Sequence, residues 1–217
     1  MNSETKIDRP LLLLGGGGHA QILAETLLQQ SWNIIGYTSL DGSVGALTNM
    51  GLQYLGNDDV ILSHKINSIT LINGIGSTGD GSKRNKIFDS FRSRGYRFGC
   101  VIHPSSNIAP SVKIGEGAQI MVGAILQTGC QMGSNVIVNT GCRIDHHCDI
   151  NDHCHIAPGA TLAGSVTLGK NVHIGAGATV IQNIRIGSNS LVGAGSLVSK
   201  IIPENSKVIG IPARPVT

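Results

Sequence analysis

The sequence predicts two architectures in series, a small α/β domain over the first hundred residues and a β-solenoid over the remainder. Three observations carry this. From Ile108 to Val198 every sixth residue is aliphatic (Ile108, Ile114, Ile120, Leu126, Met132, Val138, Ile144 and onward), with no polar interruption. A period of six fits neither a helix nor an ordinary strand. It marks a hexapeptide coil repeat whose stacked turns bury one continuous core. Ahead of the repeat, the apolar run Leu11–Leu14 ends in four glycines and then a helical stretch. Finally, apolar residues make up 41% of the 217 residues but aromatics only 3%, which suits a narrow bore that Ile, Val and Ala can fill.

Taken in order, Leu11–Leu14 reads as a strand and Ala20 to Gln30 as a helix. Asn33–Tyr37 and Ser68–Ile75 read as further strands, the second ending in glycines. Lys83–Arg94 has Ile87, Phe88 and Phe91 at helical spacing, and Tyr96–Ile102 is a last candidate strand. Strands alternating with helices imply a small parallel sheet with covered faces. Residues 1–102 are therefore expected to form a truncated Rossmann-like domain, with His103-Pro104 as the junction. The solenoid and its tail occupy residues 103–217. With three hexapeptides per coil, a coil is 18 residues and the period sustains five to six coils up to about Ile202. The tail from Pro203 to Arg214 leaves the period and is expected to cover the open end, which a solenoid must protect.

Composition excludes several classes. No stretch approaches the roughly 20 apolar residues of a membrane span, and Leu11–Leu14 is too short for a secretory leader. A cytoplasmic chain is the expectation. The formal charge of +3 is mild and unclustered, which argues against nucleic-acid binding. Cys130, Cys142, Cys148 and Cys154 each lie four residues after a column aliphatic, where Val112, Ala118, Ala124, Val136 and Ala160 stand elsewhere. That second column takes small apolar side chains, so these cysteines read as packing rather than as metal ligands or disulfides.

Gly15-Gly16-Gly17-Gly18-His19-Ala20 follows a strand and opens a helix. Glycines there let a ligand approach the backbone, and the helix N-terminus offers free N–H groups to a phosphate. A phosphate-bearing ligand, most simply a sugar nucleotide, is the reading preferred. A dinucleotide, with Asp41 at its ribose, would need a longer domain, and the remaining alternative is a turn that merely requires glycine dihedrals. Gly74-Ile75-Gly76 lies near the same sheet edge.

Five histidines fall between 146 and 173, and the repeat gives each a direction. His155 and His173 occupy the outward site just before a column aliphatic. Being 18 residues apart, they stack on one face. His146 and His147 follow Ile144 at a corner, with Gly164 one coil above His146 and presenting no side chain to obstruct a ligand. A neutral imidazole outside the bore can take a proton from an attacking amine or hydroxyl. Asp145-His146-His147, with His155 close by, favours that role over decoration of a solvated wall. A three-histidine zinc site of the γ-carbonic anhydrase kind needs two histidines five residues apart, and no pair here has that spacing.

With Gly15–Ala20, Ile144-Asp145-His146-His147-Cys148, His155-Ile156-Ala157-Pro158-Gly159-Ala160 and Gly210-Ile211-Pro212-Ala213 in this order, the chain resembles the hexapeptide-repeat sugar acetyltransferases. These relatives include bacillosamine and perosamine N-acetyltransferases and sialic acid O-acetyltransferase. The resemblance implies a left-handed β-helix, a homotrimer, acetyl-CoA as co-substrate between neighbouring solenoids with no metal, and an N-terminal domain that holds a nucleotide-linked amino sugar. It implies His146 as general base, and it places His155 near the thioester, Gly164 at the acetyl group, and Ala176 and Ala194 along the CoA channel. Gly17, Gly18, His19 and Gly76 become substrate contacts. The family often carries a carboxylate after the base, and this chain has His147 there. Asp145, Asp149, Asp152 or a backbone carbonyl could orient His146 instead, or the base works with less support. N-acetylation in surface-glycan or O-antigen synthesis is the expected function. O-acetylation of a sialic or legionaminic-type sugar is the nearest alternative, and a non-catalytic sugar-nucleotide scaffold is a third. The nucleotide of the amino sugar is expected to be UDP, GDP or dTDP.

Overall fold

The structure is a computed structural model that describes residues 9–40 and 45–216. It divides into two compact units: the chain up to Ser77 with Ser82–Val101, and Thr78–Gly81 with the chain from Ile102 onward.

In the first unit, β1 (Leu11–Leu14) lies between β2 (Ile34–Thr38) and β3 (Thr70–Asn73) in a parallel sheet. All four leucines of β1 are buried. A strand covered on both faces needs such an unbroken apolar run rather than an alternating one. Helix α1 (Gly18–Gln29) buries Ala20, Leu23, Ala24 and Leu27, the spacing of one helix face. A single-turn helix α2 (Ala46–Asn49) and a 3₁₀ segment at Asp58–Ser63 follow β2, and neither was expected from the sequence. Helix α3 (Ser82–Ser93) buries Arg84, Phe88 and Phe91. The two phenylalanines join Leu12, Leu14, Ile61, Leu71, Tyr96 and Phe98 in one core. Asp41, considered above for a ribose contact, lies outside the described residues.

The strand expected over Tyr96–Ile102 is not one strand. Phe98 makes an isolated bridge to Leu71, flanked by hydrogen bonds from Leu71 N–H to Arg97 O and from Gly99 N–H to Leu71 O. Val101–Ile102 instead begins a face of the solenoid. Gly99-Cys100 carries the chain from one sheet to the other, so a continuous apolar pattern hides a change of sheet.

The solenoid has three parallel faces. The first runs through Val101–Ile102, Gln119–Ile120, Ile137–Val138, His155–Ile156, His173–Ile174, Leu191–Val192 and Lys207–Ile209. The second holds Arg143–Ile144 between Ile125–Leu126 and Thr161–Leu162. The third holds Asp149–Ile150 between Gln131–Met132 and Thr167–Leu168. Partners in every ladder are 18 residues apart up to Val198, the coil length read from the repeat. The aliphatic column fills the bore, where Ile120, Val138, Ile156, Leu162 and Ile174 are fully or almost fully buried. Each contributes about 1.5–3 kcal/mol of burial. Cys130, Cys142, Cys148 and Cys154 lie in the same core as free thiols. The tail adds Lys207–Ile209 to the first face and folds back as an antiparallel hairpin with Arg214–Pro215. It thus covers one end of that face.

A second column with period six appears in the backbone. Residues 117, 123, 129, 135, 141, 147, 153, 159, 165, 171, 177, 183, 189 and 195 all have positive φ, near +56 to +75°. These are the corners, and they are filled by Gly, Asn, Ser and the two histidines His147 and His153. Glycine and asparagine tolerate this left-handed conformation best, and histidine is also enriched there among other residues.

Candidate active site

Two constellations stand out, one in each unit. In the first, β1 and β3 end side by side at Gly15–Gly18 and Gly74–Gly76. Gly17 caps α1 with no side-chain hydrogen bond, and no acidic residue occupies the first turn. The leading N–H groups of a helix have no partner within the helix itself. A side chain added at Gly17 or Gly18 would meet no atom within 4 Å, so their openness does not serve packing. Gly74 is different, since a Cβ there would lie 2.6 Å from Leu14 O and 2.7 Å from the Ala20 methyl. Gly76 faces His19, whose Cβ is 3.1 Å from the same hypothetical atom. The structure thus brings Gly17, Gly18, His19 and Gly76 to one edge, at the carboxyl ends of parallel strands where α/β folds bind ligands.

Arg84 belongs to this edge and was missed in the sequence, where it reads as one more charge on a helix. It is 3% exposed. Its Nη1 donates to Asn73 O at 2.9 Å and Ile75 O at 2.6 Å, and Asn73 Nδ2 donates back to Arg84 O at 3.2 Å. The guanidinium thereby ties the end of β3 into position. Its Nε and Nη2 have no partner among the described residues, and burial pulls the group from its ordinary value down to about 9.

The second constellation is the corner after Arg143–Ile144. His146 and His147 are exposed, with Nδ1 atoms 3.1 Å apart and rings nearly perpendicular at 75°. They diverge along the solenoid axis. A methyl on Gly164, one coil above, would lie 2.5 Å from Nε2 and Cε1 of His146. A methyl on Gly129, one coil below, would lie 2.7 Å from Cδ2 and 3.0 Å from Nε2 of His147. Gly164 was expected to leave room for a ligand, but the His146 ring itself takes that room. The Gly164 N–H donates to no group among the described residues.

None of the three aspartates considered as orienting groups is bonded to the His146 ring. Asp145 Oδ1 accepts the backbone N–H of His146 at 2.7 Å. Asp149 is exposed on the third face. Asp152 accepts from Ser134 N–H at 2.9 Å and pairs with Lys170 at 3.3 Å. Partial burial opposes ionisation of Asp152, but those two partners outweigh it and lower its pKa. The group in contact with His146 Nδ1 is His147.

His155 and His173 stack in register on the first face, ring centroids 4.9 Å apart and nearly perpendicular. They point away from the bore but are not freely solvated. His155 is 9% exposed, and burial lowers the pKa of His173. The Thr78–Gly81 segment groups with the solenoid, and a methyl on Gly79 would lie 3.0 Å from Leu191 Cδ1 on this face. Asn139 Oδ1 accepts from Thr140 N–H at 2.8 Å, which turns its Nδ2 toward His155 Nε2 at 3.2 Å. That nitrogen is therefore an acceptor, and His155 carries its proton on Nδ1. Sequence reasoning did not find Asn139, since nothing in the repeat marks it.

His155 is not beside His146 within one chain. Nine residues is half of an 18-residue coil, so the two stand on different faces. Ala176 and Ala194 are exposed at a third location, the corner between the first and second faces, where Ala176 O accepts from Gly195 N–H at 2.8 Å. Among the described residues no group of three or more His, Cys, Asp or Glu is placed to hold a metal ion. No helix among them is long and apolar enough to cross a membrane.

Comparison with known proteins agrees with both units. Residues 10–91 match the PglD N-terminal domain family, and residues 129–164 and 165–200 match the bacterial transferase hexapeptide (six repeats) family. No curated protein matches the chain in sequence. Among solved structures, a histidine-to-asparagine variant of perosamine N-acetyltransferase from Caulobacter crescentus, in complex with CoA and GDP-perosamine, is 31% identical with a TM-score of 0.89. The match covers 96% of this chain and 97% of that one. The acetyltransferase domain of PglB from Neisseria gonorrhoeae FA1090, in complex with acetyl coenzyme A, is 30% identical, with coverage of 96% and 99% and a TM-score of 0.86. WeeI from Acinetobacter baumannii AYE, at 23% identity over 96% of this chain and 100% of its own, shares the fold with a TM-score of 0.85.

Proposed function

The chain belongs to the hexapeptide-repeat acetyltransferases that carry a PglD-type N-terminal domain on a left-handed β-helix and use acetyl-CoA; from that premise we propose that it N-acetylates the amino group of a nucleotide-linked amino sugar in surface-glycan synthesis. The observation that carries this reading is the pairing of His146 with Gly164. An imidazole Nε2 lies directly over a residue whose N–H is engaged by no protein group among the described residues. A base and an oxyanion donor are thereby within one residue's width of each other, which acyl transfer from a thioester requires.

In this reading His146 takes the amine proton as nitrogen bonds to the acetyl carbon, and the Gly164 N–H stabilises the charge growing on the carbonyl oxygen. The C–S bond then breaks and His146 returns the proton to the leaving sulfur. Gly17, Gly18, His19 and Gly76 cradle the nucleotide phosphates at the N-terminus of α1, and Arg84 holds the Gly74–Gly76 end of β3 for them. His155, with Ala176 and Ala194, serves the acetyl-CoA side. Half a coil separates His146 from His155, so a site containing both needs a second copy of the chain, which supports a homotrimer. The cytoplasm, where acetyl-CoA is available, is the expected location.

The test is acetyl transfer to GDP-, UDP- and dTDP-linked amino sugars, followed as CoA thiol release, with His146→Ala as control. The expected result is turnover of at least one, lowered at least about 10²-fold by the substitution. Unchanged turnover in His146→Ala would overturn the base assignment. Alkali-labile acetyl groups on a sialic-type sugar would replace N-acetylation with O-acetylation. The absence of any transfer, with nucleotide sugars still raising the melting temperature, would leave a binding scaffold.

A further inference from the structure

From the 3.1 Å contact between the Nδ1 atoms of His146 and His147, we infer that the two rings work as a single-proton dyad, in which neutral His147 replaces a carboxylate as the acceptor that positions His146. This rests on His146 being the base and identifies what holds it.

Two nitrogens at this distance share one hydrogen, so one ring donates and the other accepts. Either direction would satisfy the bond, but only the one in which His146 donates from Nδ1 leaves its Nε2 free to act as base. Once His146 has taken a proton on Nε2 the choice is gone, because its Nδ1 must then carry hydrogen and His147 Nδ1 must accept. The bond becomes charge-assisted at that moment, and such bonds are roughly twice as strong as neutral ones. The contact therefore stabilises the proton-accepting state more than the resting one, as a catalytic interaction must. The proton balance closes. Hydrogen leaves the amine for Nε2, the Nδ1 hydrogen stays between the rings, and the Nε2 hydrogen goes to the departing sulfur.

The surroundings leave this role to His147. The stacked corner below is Gln127-Thr128-Gly129 and the one above is Ala163-Gly164-Ser165, neither containing an ionisable group. Asp145 is occupied by a backbone N–H. His147 is fixed by its own backbone, with N–H donating to Thr128 O at 2.9 Å and φ at 57°, and its ring rests over Gly129. It touches His146 and not the reacting atoms, so it is a positioning residue.

Two substitutions at position 147 test this on the full chain. His147→Phe keeps a ring over Gly129 and removes the acceptor, whereas His147→Glu restores an acceptor with a charge. Phe is expected to lower kcat at least about 10-fold, between the loss seen when a metal-bound imidazole loses its partner and the larger one when a triad histidine does, with KM for acetyl-CoA unchanged. Glu is expected to recover most of kcat and to move the acid limb of kcat/KM to higher pH, since a carboxylate makes His146 easier to protonate. A readout independent of turnover is the ¹⁵N spectrum of the imidazoles. His146 should hold its hydrogen on Nδ1 in the wild type and populate the Nε2–H form in His147→Phe. Wild-type kcat in the Phe variant, equal losses in Phe and Glu, or an Nε2–H tautomer for wild-type His146 would each overturn the dyad. If His146→Ala retains full activity, the base assignment fails instead.

Discussion

Gly164→Ala is the sharpest single perturbation of the site. The added methyl would sit 2.5 Å from two atoms of the His146 ring, whereas nonbonded carbons prefer about 3.5–4.0 Å. The ring must therefore retreat by about 1 Å or more. Backbone strain does not contribute, because Gly164 is not at positive φ. The same turn position is filled two coils below by Thr128 and one coil above by Gln182, so the turn accepts side chains. The exposed His146 side chain can leave its rotamer for about 0.5–1.5 kcal/mol. Alanine returns about 0.4–1 kcal/mol by restricting the unfolded chain. Stability is thus expected to change by less than about 1 kcal/mol, while displacing a catalytic group by about 1 Å costs about 10²-fold in kcat/KM. The assay is thermal unfolding beside CoA release under subsaturating acetyl-CoA. A Gly164→Ala variant with an unchanged melting temperature and full kcat/KM would refute the placement of the working base over this glycine.

Three further outcomes follow from other parts of the molecule. Burial pushes the thiols of Cys142 and Cys154 up to about 11 and about 12, and all four column cysteines lie in the bore. Cys130 runs the other way, its hydrogen bond with Cys148 drawing it down to about 7, but its sulfur is buried from solvent like the other three. A thiol reagent should therefore label only the partly buried Cys100 in native protein, and rapid labelling of a second site by mass spectrometry would contradict the inward column. Because burial lowers the pKa of His173, the unfolded chain binds its proton first as pH falls below the ordinary imidazole value. Stability is lost over that window, and His173→Leu, which copies Leu191 of the next coil, should flatten the acid side of a melting-temperature profile. Arg84→Ala removes the one nitrogen, Nη1, that donates to both the Asn73 and Ile75 carbonyls. It should cost about 1–3 kcal/mol by leaving a buried acceptor unsatisfied and weaken nucleotide-sugar binding in calorimetry, whereas an unchanged affinity would detach Arg84 from the substrate edge.

The repeat made most of the solenoid legible because burial in a β-helix is set by register alone. Once Ile144 and Ile156 face inward, so does Cys148 between them, and no tertiary knowledge is needed. The corner column was equally present in the sequence, as Gly117, Gly123, Gly129, Asn135 and Gly141 at intervals of six, but a period of small polar residues is less conspicuous than one of aliphatics. Position around the coil was harder to judge. His155 lies close to His146 along the chain and half a coil from it in space, because proximity here is counted in multiples of 18 rather than in neighbours. In the α/β unit no such counting exists. Arg84 sits at helical spacing with Phe88 and Phe91, and only tertiary packing shows that its charge is turned inward to hold β3.

The substitution of His147 for a carboxylate illustrates where periodicity stops being informative. The repeat puts His146 and His147 at a corner but is silent about which way two successive rings turn. The left-handed φ of His147 decides it, by sending that ring down onto Gly129 while His146 goes up onto Gly164. The two glycines are necessary partners of the two histidines, each lacking a side chain where a ring must lie. Only with the rings splayed do their Nδ1 atoms face each other and leave the outer nitrogen of His146 pointing at Gly164. Gly129 also suits its own left-handed φ of 75°, whereas Gly164 is not at positive φ and no backbone requirement accounts for it. Gly164 beneath the His146 ring, together with the 3.1 Å Nδ1 contact, is what distinguishes a built dyad from two polar residues on a solvated edge.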